Sequence, residues 1–431
     1  MSSRLSDENV FELISGLWTG ERQPLMRAKV LRATNFRGDG VIDFEDVVTL
    51  DVEQRFEAAR RLRSSDIIIE RSGGGVNQPV GRAAIFVPPD DAPYFTSNFT
   101  TGIRIKDRSR YEPRFVAHFL NALYLSGATE TLQRKPTGIR NLDWQEYLRF
   151  EIPSMELGCQ NAIADILDAV RSATRMQSRQ VEHAQCLQSA AMNQLFTRGL
   201  RGQPQKETVI GLIPETWDVV RLGSLGRIGN GSTPKKSVRE YWEGGTFPWL
   251  NSAKVYDRDI VAADAHVTPL ALKECHLPVL KPGAVLVAIT GQGKTLGHCA
   301  VLRMEATINQ HFAYLQPDLY QTNPRYVAGY LETQYENLRQ VASGGGSTKG
   351  ALTCAYLRDL QIPMPPTKDE QDEIAEVIDA IDRKIDLHQR KRAVLEELFK
   401  SLLHKLMTGE VHVADLDLSA LPAPMPQEAH S

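Results

Sequence analysis

Residues 113–120 read PRFVAHFL, and residues 324–331 read PRYVAGYL, 211 positions later. Residues 160–169 (QNAIADILDA) match residues 371–380 (QDEIAEVIDA) at the same offset. Several matches at one offset indicate that the chain is a duplication. The period of about half the chain excludes a solenoid of short repeats.

Each half of the chain divides into a mixed part and a long helical part. The mixed parts contain short strand-like runs, such as IIIE at 67–70 and VLVA at 285–288, separated by Gly- and Pro-rich turns. One helix is predicted late in each mixed part, at 114–125 and at 325–341. The long helical stretches contain no proline. The predicted segments are a first domain at 1–157, a helix at 158–198, a linker at 199–207, a second domain at 208–366, a helix at 367–408 and a flexible tail at 409–431.

The two long helices carry apolar residues with a seven-residue period, which is typical of a coiled coil. The residues expected to pair are Ile163, Leu167 and Val170 in the first helix, and Ile374, Ile378, Ile381, Leu395 and Leu402 in the second. We therefore predict a mixed α/β fold of two duplicated domains, each followed by a long helix, with the helices paired. The alternative is two ordinary amphipathic helices, each packed on its own domain.

The composition argues against several classes of protein. Among 431 residues no run of 18 apolar residues occurs, so no transmembrane span is expected. The N-terminal residues contain no apolar segment of the kind a secretory signal requires. The five cysteines form no C-x-x-C pair, which argues against a disulfide framework and favours a cytoplasmic location.

The net charge of −3 first suggests that the chain does not bind nucleic acid. The acidity, however, is concentrated in residues 368–431, which hold 8 basic and 14 acidic side chains. The two mixed domains are close to neutral and contain local clusters of Arg and Lys. The overall charge therefore does not exclude contact between these domains and DNA.

The run AITGQGKT at 288–295 is close to a phosphate-binding Walker A loop. Ala288 replaces the first glycine of that motif, and the residues after Thr295 predict a strand where the motif requires a helix. We therefore interpret this run as a Gly-rich hairpin loop. No catalytic motif and no metal-binding spacing is recognisable, so the sequence predicts neither an enzyme nor a metal site.

Several motifs together resemble the specificity (S) subunit of type I restriction–modification systems. The run IPETWDVVRLG at 213–223 is similar to the opening of a target recognition domain in that family. The run IPMPPTKDEQDEI at 362–374 is similar to the entry into its spacer helix. Residues 67–82, together with LWTG at 17–20 and LRATNF at 31–36, resemble one class of its recognition domains. The first half departs from the pattern, because it lacks the Ile-Pro-x-x-Trp lead-in and starts near Phe11.

The resemblance implies a non-catalytic subunit that recognises double-stranded DNA. Each target recognition domain would read one half of a split, asymmetric site. The two helices would form an antiparallel coiled coil that sets the spacer and docks two methyltransferase subunits, with restriction subunits as possible further partners. S-adenosylmethionine and ATP are expected on those partners, and no cofactor is expected on this chain.

Arg and Lys commonly read guanine, and Asn and Gln read adenine, in the major groove. The loops at 70–82 and 290–298 are the main candidates for base reading, and their sequences differ between the two domains. The candidate DNA-binding residues are Arg32, Asn35, Arg71, Asn77, Gln78, Arg82, Asn251, Lys254, Gln292, Lys294, Thr295, His298 and Lys349. Two alternatives are a coiled-coil adaptor that reads no DNA and a nucleotide-binding protein that uses the 288–295 loop.

Overall fold

The computed structural model describes residues 2–37, 40–74, 78–134, 139–291, 294–344 and 351–416. The chain forms two compact units. The first unit consists of Met1–Ser178 and Gln389–Ser431, and the second of Arg179–His388. The boundaries fall inside the two long helices, so each unit contains one globular domain and one part of each long helix.

The first unit contains twelve strands within the described residues: β1 (Ser3–Arg4), β2 (Phe11–Ser15), β3 (Leu25–Leu31), β4 (Val48–Glu53), β5 (Ile67–Glu70), β6 (Ser72–Gly73), β7 (Ala83–Ile85), β8 (Tyr94–Thr96), β9 (Thr100–Ile105), β10 (Gln133–Arg134), β11 (Arg140–Leu142) and β12 (Glu151–Ile152). Its helices are α1 (Glu57–Arg60), α2 (Pro113–Leu125), α3 (Trp144–Tyr147) and the first part of α4 (Leu157–Arg198). Four strands form the main antiparallel sheet in the order β2-β9-β5-β7. A second sheet has the order β4-β3-β8, a third the order β10-β11-β6, and β1 pairs with β12.

The second unit contains β13 (Gln205–Thr208), β14 (Gly211–Pro214), β15 (Asp218–Arg221), β16 (Gly226–Asn230), β17 (Phe247–Leu250), β18 (Asp259–Ile260), β19 (Ala265–Val267), β20 (Val285–Ala288), β21 (Cys299–Leu302), β22 (Thr307–Ile308), β23 (Phe312–Pro317) and β24 (Gln361–Met364). Its helices are α5 (Pro269–Glu274), α6 (Pro324–Thr333), α7 (Tyr335–Gly344), α8 (Cys354–Asp359) and the first part of α9 (Lys368–Thr408). The main sheet has the order β16-β23-β20-β21-β18. The helix expected at 325–341 is two helices, α6 and α7, which meet at Gln334.

The two domains share one topology, which confirms the duplication. In the main sheets, β9-β5-β7 corresponds to β23-β20-β21, and β2 corresponds to β16. In the second sheets, β3 and β17 are central; each pairs with one antiparallel and one parallel neighbour. The central strands β5 and β20 are fully buried, as their continuous aliphatic sequences require.

The long helices pack against each other in opposite directions. In the first unit, Ile163 and Leu167 of α4 share a core with Leu403 and Leu406 of α9. In the second unit, Met192, Leu195 and Phe196 of α4 share a core with Ile374 and Ile378 of α9. The start of α4 thus packs against the end of α9, and the end of α4 packs against the start of α9. The predicted antiparallel pair is therefore confirmed, but both helices also join the cores of the globular domains.

The contact face of α9 differs in detail from the heptad pattern. Ile374 and Ile378 are fully buried, whereas Ile381, Leu395 and Leu402 are only partly buried. Asp382 and Leu403, one position further along, are buried instead, at 4% and 2% exposure. Asp382 is buried because it pairs with Arg325. Further along α9, a straight helix of 3.6 residues per turn drifts by about 20° per heptad from a strict seven-residue period, which brings Leu403 onto the buried face.

Candidate nucleic-acid interface

The second candidate loop joins the antiparallel strands β20 and β21, as the hairpin interpretation of residues 288–295 required. A strand follows this loop, so the helix that a Walker A motif needs is absent at that place. Gln292 lies outside the described residues. Lys294 is exposed at the tip of the loop, and Thr295 and His298 are half-buried.

Aromatic side chains support this loop from two sides. The His298 ring lies 5.2 Å from the Tyr256 ring and 4.4 Å from the Tyr335 ring, measured between centroids. The hydroxyls of Thr295 and Tyr256 are 2.9 Å apart and share a hydrogen bond. Burial, with a smaller contribution from the Arg339 charge, lowers the pKa of His298 below its ordinary value. At neutral pH His298 is therefore a neutral imidazole, which can donate one hydrogen bond and accept another.

Asn251 and Lys254 are engaged within the second domain. The Asn251 side chain accepts a hydrogen bond from the Ala253 amide at 2.9 Å and caps the short helical turn that follows. The Lys254 ammonium lies 3.0 Å from Asp257 and 3.2 Å from Asp264. The hydrogen bond to Asp257, followed by that to Asp264, raises the pKa of Lys254. Lys349 lies outside the described residues.

In the first domain, Arg82 is buried and holds the loop from within. Its guanidinium makes two hydrogen bonds to the Glu70 carboxylate, at 2.8 and 2.9 Å. Two further hydrogen bonds reach the carbonyls of Phe36 (2.8 Å) and Ala33 (3.2 Å). The guanidinium is saturated by protein partners, so the structure gives Arg82 a structural role.

Asn35 and Arg32 likewise stabilise their own loop. The buried Asn35 side chain accepts from the Arg32 amide at 2.8 Å and donates to the carbonyls of Asp43 and Asp46. The Arg32 guanidinium lies 3.3 Å from the Asp46 carboxylate. These contacts hold Arg32 and Asn35 against Asp43 and Asp46.

On the first loop, Gln78 is the exposed candidate, and Arg71 is half-buried. The Arg71 guanidinium lies 4.8 Å from the centre of the Trp144 ring, and burial lowers the pKa of Arg71. Gln78 is exposed, and its amide oxygen, when turned toward Arg82, accepts a hydrogen bond of 2.8 Å. Asn77 lies outside the described residues. The loops at 70–82 and 290–298 thus remain the candidate interface, with fewer reading side chains than the sequence suggested.

A matched pair of glutamines explains one part of the sequence repeat. Gln160 of α4 accepts a hydrogen bond from the Glu112 amide and donates to the carbonyls of Arg110 and Met155. Gln371 of α9 accepts from the Asn323 amide and donates to the Gln321 carbonyl. Each glutamine fixes the chain that leads into the domain helix, α2 or α6, to the long helix of the same unit.

A matched pair of arginines adds an ionic connection in each unit. Arg114 of α2 donates to Asp165 of α4 at 2.7 Å, and Arg325 of α6 donates to Asp379 and Asp382 of α9 at 2.9 and 2.6 Å. The sequence repeat aligns the two halves but does not reveal the contacts that these residues make. The members of the Gln pair and of the Arg pair are each 211 positions apart, and this shared spacing is the sequence signal that could have indicated a matched role.

Comparisons with known proteins agree with this architecture. Residues 214–397 match the model of the type I restriction modification DNA specificity domain. The MjaIX specificity subunit of Methanocaldococcus jannaschii is 31% identical over 204 residues, which cover 46% of either chain. The chain thus spans less than half the length of this relative. The MjaVIII specificity subunit of the same organism is 24% identical over 290 residues, covering 66% of this chain and 68% of that protein.

The fold also matches a solved structure over nearly its full length. The crystal structure of a type I restriction–modification S subunit from M. genitalium superposes with a TM-score of 0.59 at 15% identity, covering 94% of this chain and 95% of that one. The chain is similar to the specificity subunits of type I restriction–modification systems. The resemblance predicted from the sequence is confirmed. The matched proteins are named as specificity subunits.

The two sequence motifs of the family meet in the second unit. Trp217, the tryptophan of the Ile-Pro-x-x-Trp motif, is fully buried, and its indole donates a hydrogen bond of 3.2 Å to Glu370 at the start of α9. The domain opening and the spacer-helix entry are therefore one packing unit. In the first unit, β1 pairs with β12 as β15 pairs with β24, so residues before Phe11 also contribute a strand to the first domain.

Two other features, a membrane-spanning helix and a metal site, have no counterpart in the described parts of the chain. Among these residues, no helix is long and apolar enough to cross a membrane. In the same part of the chain, no group of three His, Cys, Asp or Glu side chains is placed to hold a metal ion.

Proposed function

We propose that each domain reads one half of a split, asymmetric DNA site, with the loops at 70–82 and 290–298 as the reading elements. The observation that carries this proposal is that the two domains share one topology but differ in the sequence of the matched hairpin loop. The loops occupy matched places after β5 and β20, yet read SGGGVNQPVGR at 72–82 and TGQGKTLGH at 290–298. A conserved scaffold with variable loops is what two independent half-sites require.

The accessible groups on these loops fit base reading in the major groove. Lys294 carries an exposed ammonium, which suits the acceptor edge of guanine or a phosphate. Thr295 and the neutral His298 offer both donors and acceptors, and Gln78 provides an amide. Three further residues remain candidates only because their residue types commonly contact DNA: Asn77, Gln292 and Lys349.

The helix pair is proposed to set the spacer between the half-sites and to bind two methyltransferase subunits. At 1.5 Å per residue, the 42 residues of α4 extend over about 63 Å, or roughly 18 base pairs of duplex. Apolar side chains remain exposed on the helices: Val394 at 67% and Leu398 at 43% lie one turn apart on α9. Such exposed apolar positions suit a protein partner.

The cofactors of the reaction are assigned to the partner subunits. S-adenosylmethionine would bind to the methyltransferase subunits, and ATP to restriction subunits where these are present. This chain would supply sequence recognition and assembly. It is expected to act where its DNA is, in the cytoplasm.

Methylome sequencing of the host with and without the gene tests the proposal. We expect one asymmetric, bipartite methylated motif to disappear when the gene is deleted and to return when it is restored. An unchanged methylome in a host that expresses the methyltransferase would contradict DNA reading and favour the adaptor alternative. Stabilisation of the purified chain by ATP would instead favour the nucleotide-binding alternative.

A further inference from the structure

A tyrosine at the first position of α7 contacts the backbone of the second candidate loop. The Tyr335 hydroxyl donates a hydrogen bond of 2.7 Å to the carbonyl oxygen of Lys294. The Arg339 guanidinium donates to the same hydroxyl at 3.2 Å. The Tyr335 ring also packs on His298, so one half-buried side chain fixes the loop at two places.

The corresponding position of the first domain holds the same residue type. Tyr124, near the end of α2, is 211 positions before Tyr335, the offset of the sequence repeat. The Tyr124 hydroxyl donates to the carbonyl oxygen of Pro79 at 3.4 Å, within the first candidate loop. A helix-borne tyrosine therefore reaches the backbone of the candidate loop in both domains.

Each loop also carries a glycine that packs against the residues near this tyrosine. Gly297 adopts a φ of +90°, and a Cβ atom there would lie 3.3 Å from the Tyr335 ring. Gly81 adopts a φ of +112°, and a Cβ atom there would lie 3.1 Å from the Thr129 side chain. Both glycines come shortly before the strand that ends the loop, β21 or β7.

Both domains have the hydrogen bond from a helix tyrosine to a loop carbonyl, whereas the loop sequences differ. A contact to a backbone carbonyl does not depend on the side chain of the residue that carries it. The same tyrosine can therefore hold loops of different sequence, and the side chains of those loops remain available to DNA. Lys294 illustrates this, because its carbonyl is bound to Tyr335 while its side chain is exposed.

We propose that Tyr335 and Tyr124 are positioning residues for DNA specificity, each of which sets the conformation of the reading loop of one half-site. This inference rests on the proposed function of the two loops. The second loop is anchored more firmly, because its hydrogen bond is shorter and Arg339 supports the hydroxyl. The position equivalent to Arg339 in the first domain is Ala128.

The test replaces each tyrosine by phenylalanine in the full chain, expressed with its partner subunits, and measures methylation genome-wide. Tyr335→Phe and Tyr124→Phe keep the ring and remove the hydroxyl only. Tyr320→Phe is the matched control, because Tyr320 belongs to the second domain and is 93% exposed. The quantity measured is the ratio of methylation at cognate sites to methylation at sites with one mismatch, for each half-site separately.

We expect Tyr335→Phe to lower this ratio by about 2- to 10-fold at one half-site only, as the loss of one hydrogen bond would. Tyr124→Phe should lower it at the other half-site, by a smaller factor, and Tyr320→Phe should leave both unchanged. A merely structural role would reduce methylation at all sites and leave both ratios as in the wild type. That result, or relaxation of both half-sites by one substitution, would overturn the inference. If deletion of the gene leaves the methylome unchanged, the proposed function itself fails, which is a separate outcome.

Discussion

Arg325 connects the second domain to α9 through a buried network of ion pairs. Its side chain is 3% exposed and lies between Asp379, Asp382 and Glu332, at 2.9, 2.6 and 2.9 Å. Arg258 adds a second cation 3.0 Å from Asp382. Burial raises the pKa values of Glu332 and Asp382, which shows how much these carboxylates depend on their cations.

We predict that Arg325→Leu lowers the free energy of unfolding by about 3–5 kcal/mol, because it leaves buried carboxylates without their partner. Arg114→Leu is the matched variant in the first unit, where the side chain is 29% exposed and water can compensate. Its cost should be clearly smaller. Urea denaturation of both variants measures the difference. Equal costs would contradict the assignment of a buried network to Arg325.

The lowered pKa of His118 predicts how the stability of the first unit depends on pH. Burial lowers the pKa of His118, although its Nε2 lies 2.9 Å from Asp168, whose charge acts in the opposite direction. The charges of Arg171 and Arg114 lower it further, and the centre of the Phe399 ring of α9 lies 6.2 Å from that of the imidazole. The folded state therefore holds His118 neutral.

Because the folded pKa lies below the ordinary value of 6.5, the unfolded chain binds the proton more readily. The stabilising contribution is complete above pH 6.5 and decreases as the pH falls through the folded pKa. The pKa of Asp168 is also lowered, but from 3.8, so its effect lies at more acidic pH. We predict that the wild type loses stability between pH 7 and pH 5 more steeply than His118→Gln. Thermal denaturation across this range is the measurement, and parallel curves would exclude His118 as the titrating group.

Residue type alone could not separate the reading side chains from the structural ones. Arg82 and Asn35 are residues that commonly contact DNA, yet both are saturated by protein partners in the fold. Glu70, twelve positions before Arg82, was a signal for an internal ion pair, but sequence spacing does not reveal the pairing across β5 and β7. The sequence does not reveal the role of Tyr124 and Tyr335, because a tyrosine on an amphipathic helix can equally belong to the core or to the surface. Only the structure shows their contact with the loops.

At the scale of elements, the sequence pattern predicted the long helices well and their contact face less well. The helices follow from the long proline-free stretches and the apolar period. Asp382 replaces Ile381 on the buried face because it pairs with Arg325 and accepts a hydrogen bond from Gln188. A pattern that counts only apolar residues cannot detect a buried position that an ion pair occupies.

The helix pair gives a prediction about the spacer of the recognised site. Seven residues inserted into both helices, after Ser178 and after His388, keep the buried faces in register because they add two turns. We expect the methylated motif to gain about 3 base pairs of unread spacer, since the insertion adds roughly 10 Å of helix. An insertion into one helix only serves as the comparison and should disrupt the pair. An unchanged spacer in the double insertion would exclude the helices as its determinant.

At the scale of the whole molecule, the duplication predicts that the two half-sites are exchanged independently. Replacing residues 207–366 by the corresponding domain of a relative should change one half of the methylated motif and leave the other half as it was. This exchange ends at residue 366, so it leaves Gln371 and the start of α9 unchanged. Methylome sequencing of the chimaera is the measurement. A change in both halves would contradict independent reading.

The division into units has a consequence for biosynthesis. The core of the first unit includes Leu403 and Leu406, whereas the second unit is complete at His388. On the ribosome, the N-terminal domain is therefore made first but must wait for the last helical turns of α9. At 5–20 residues per second, this delay is roughly 10–45 s. The domain that is synthesised later can therefore fold before the one that is synthesised earlier. A chaperone would be needed while the nascent N-terminal domain still lacks these residues of α9.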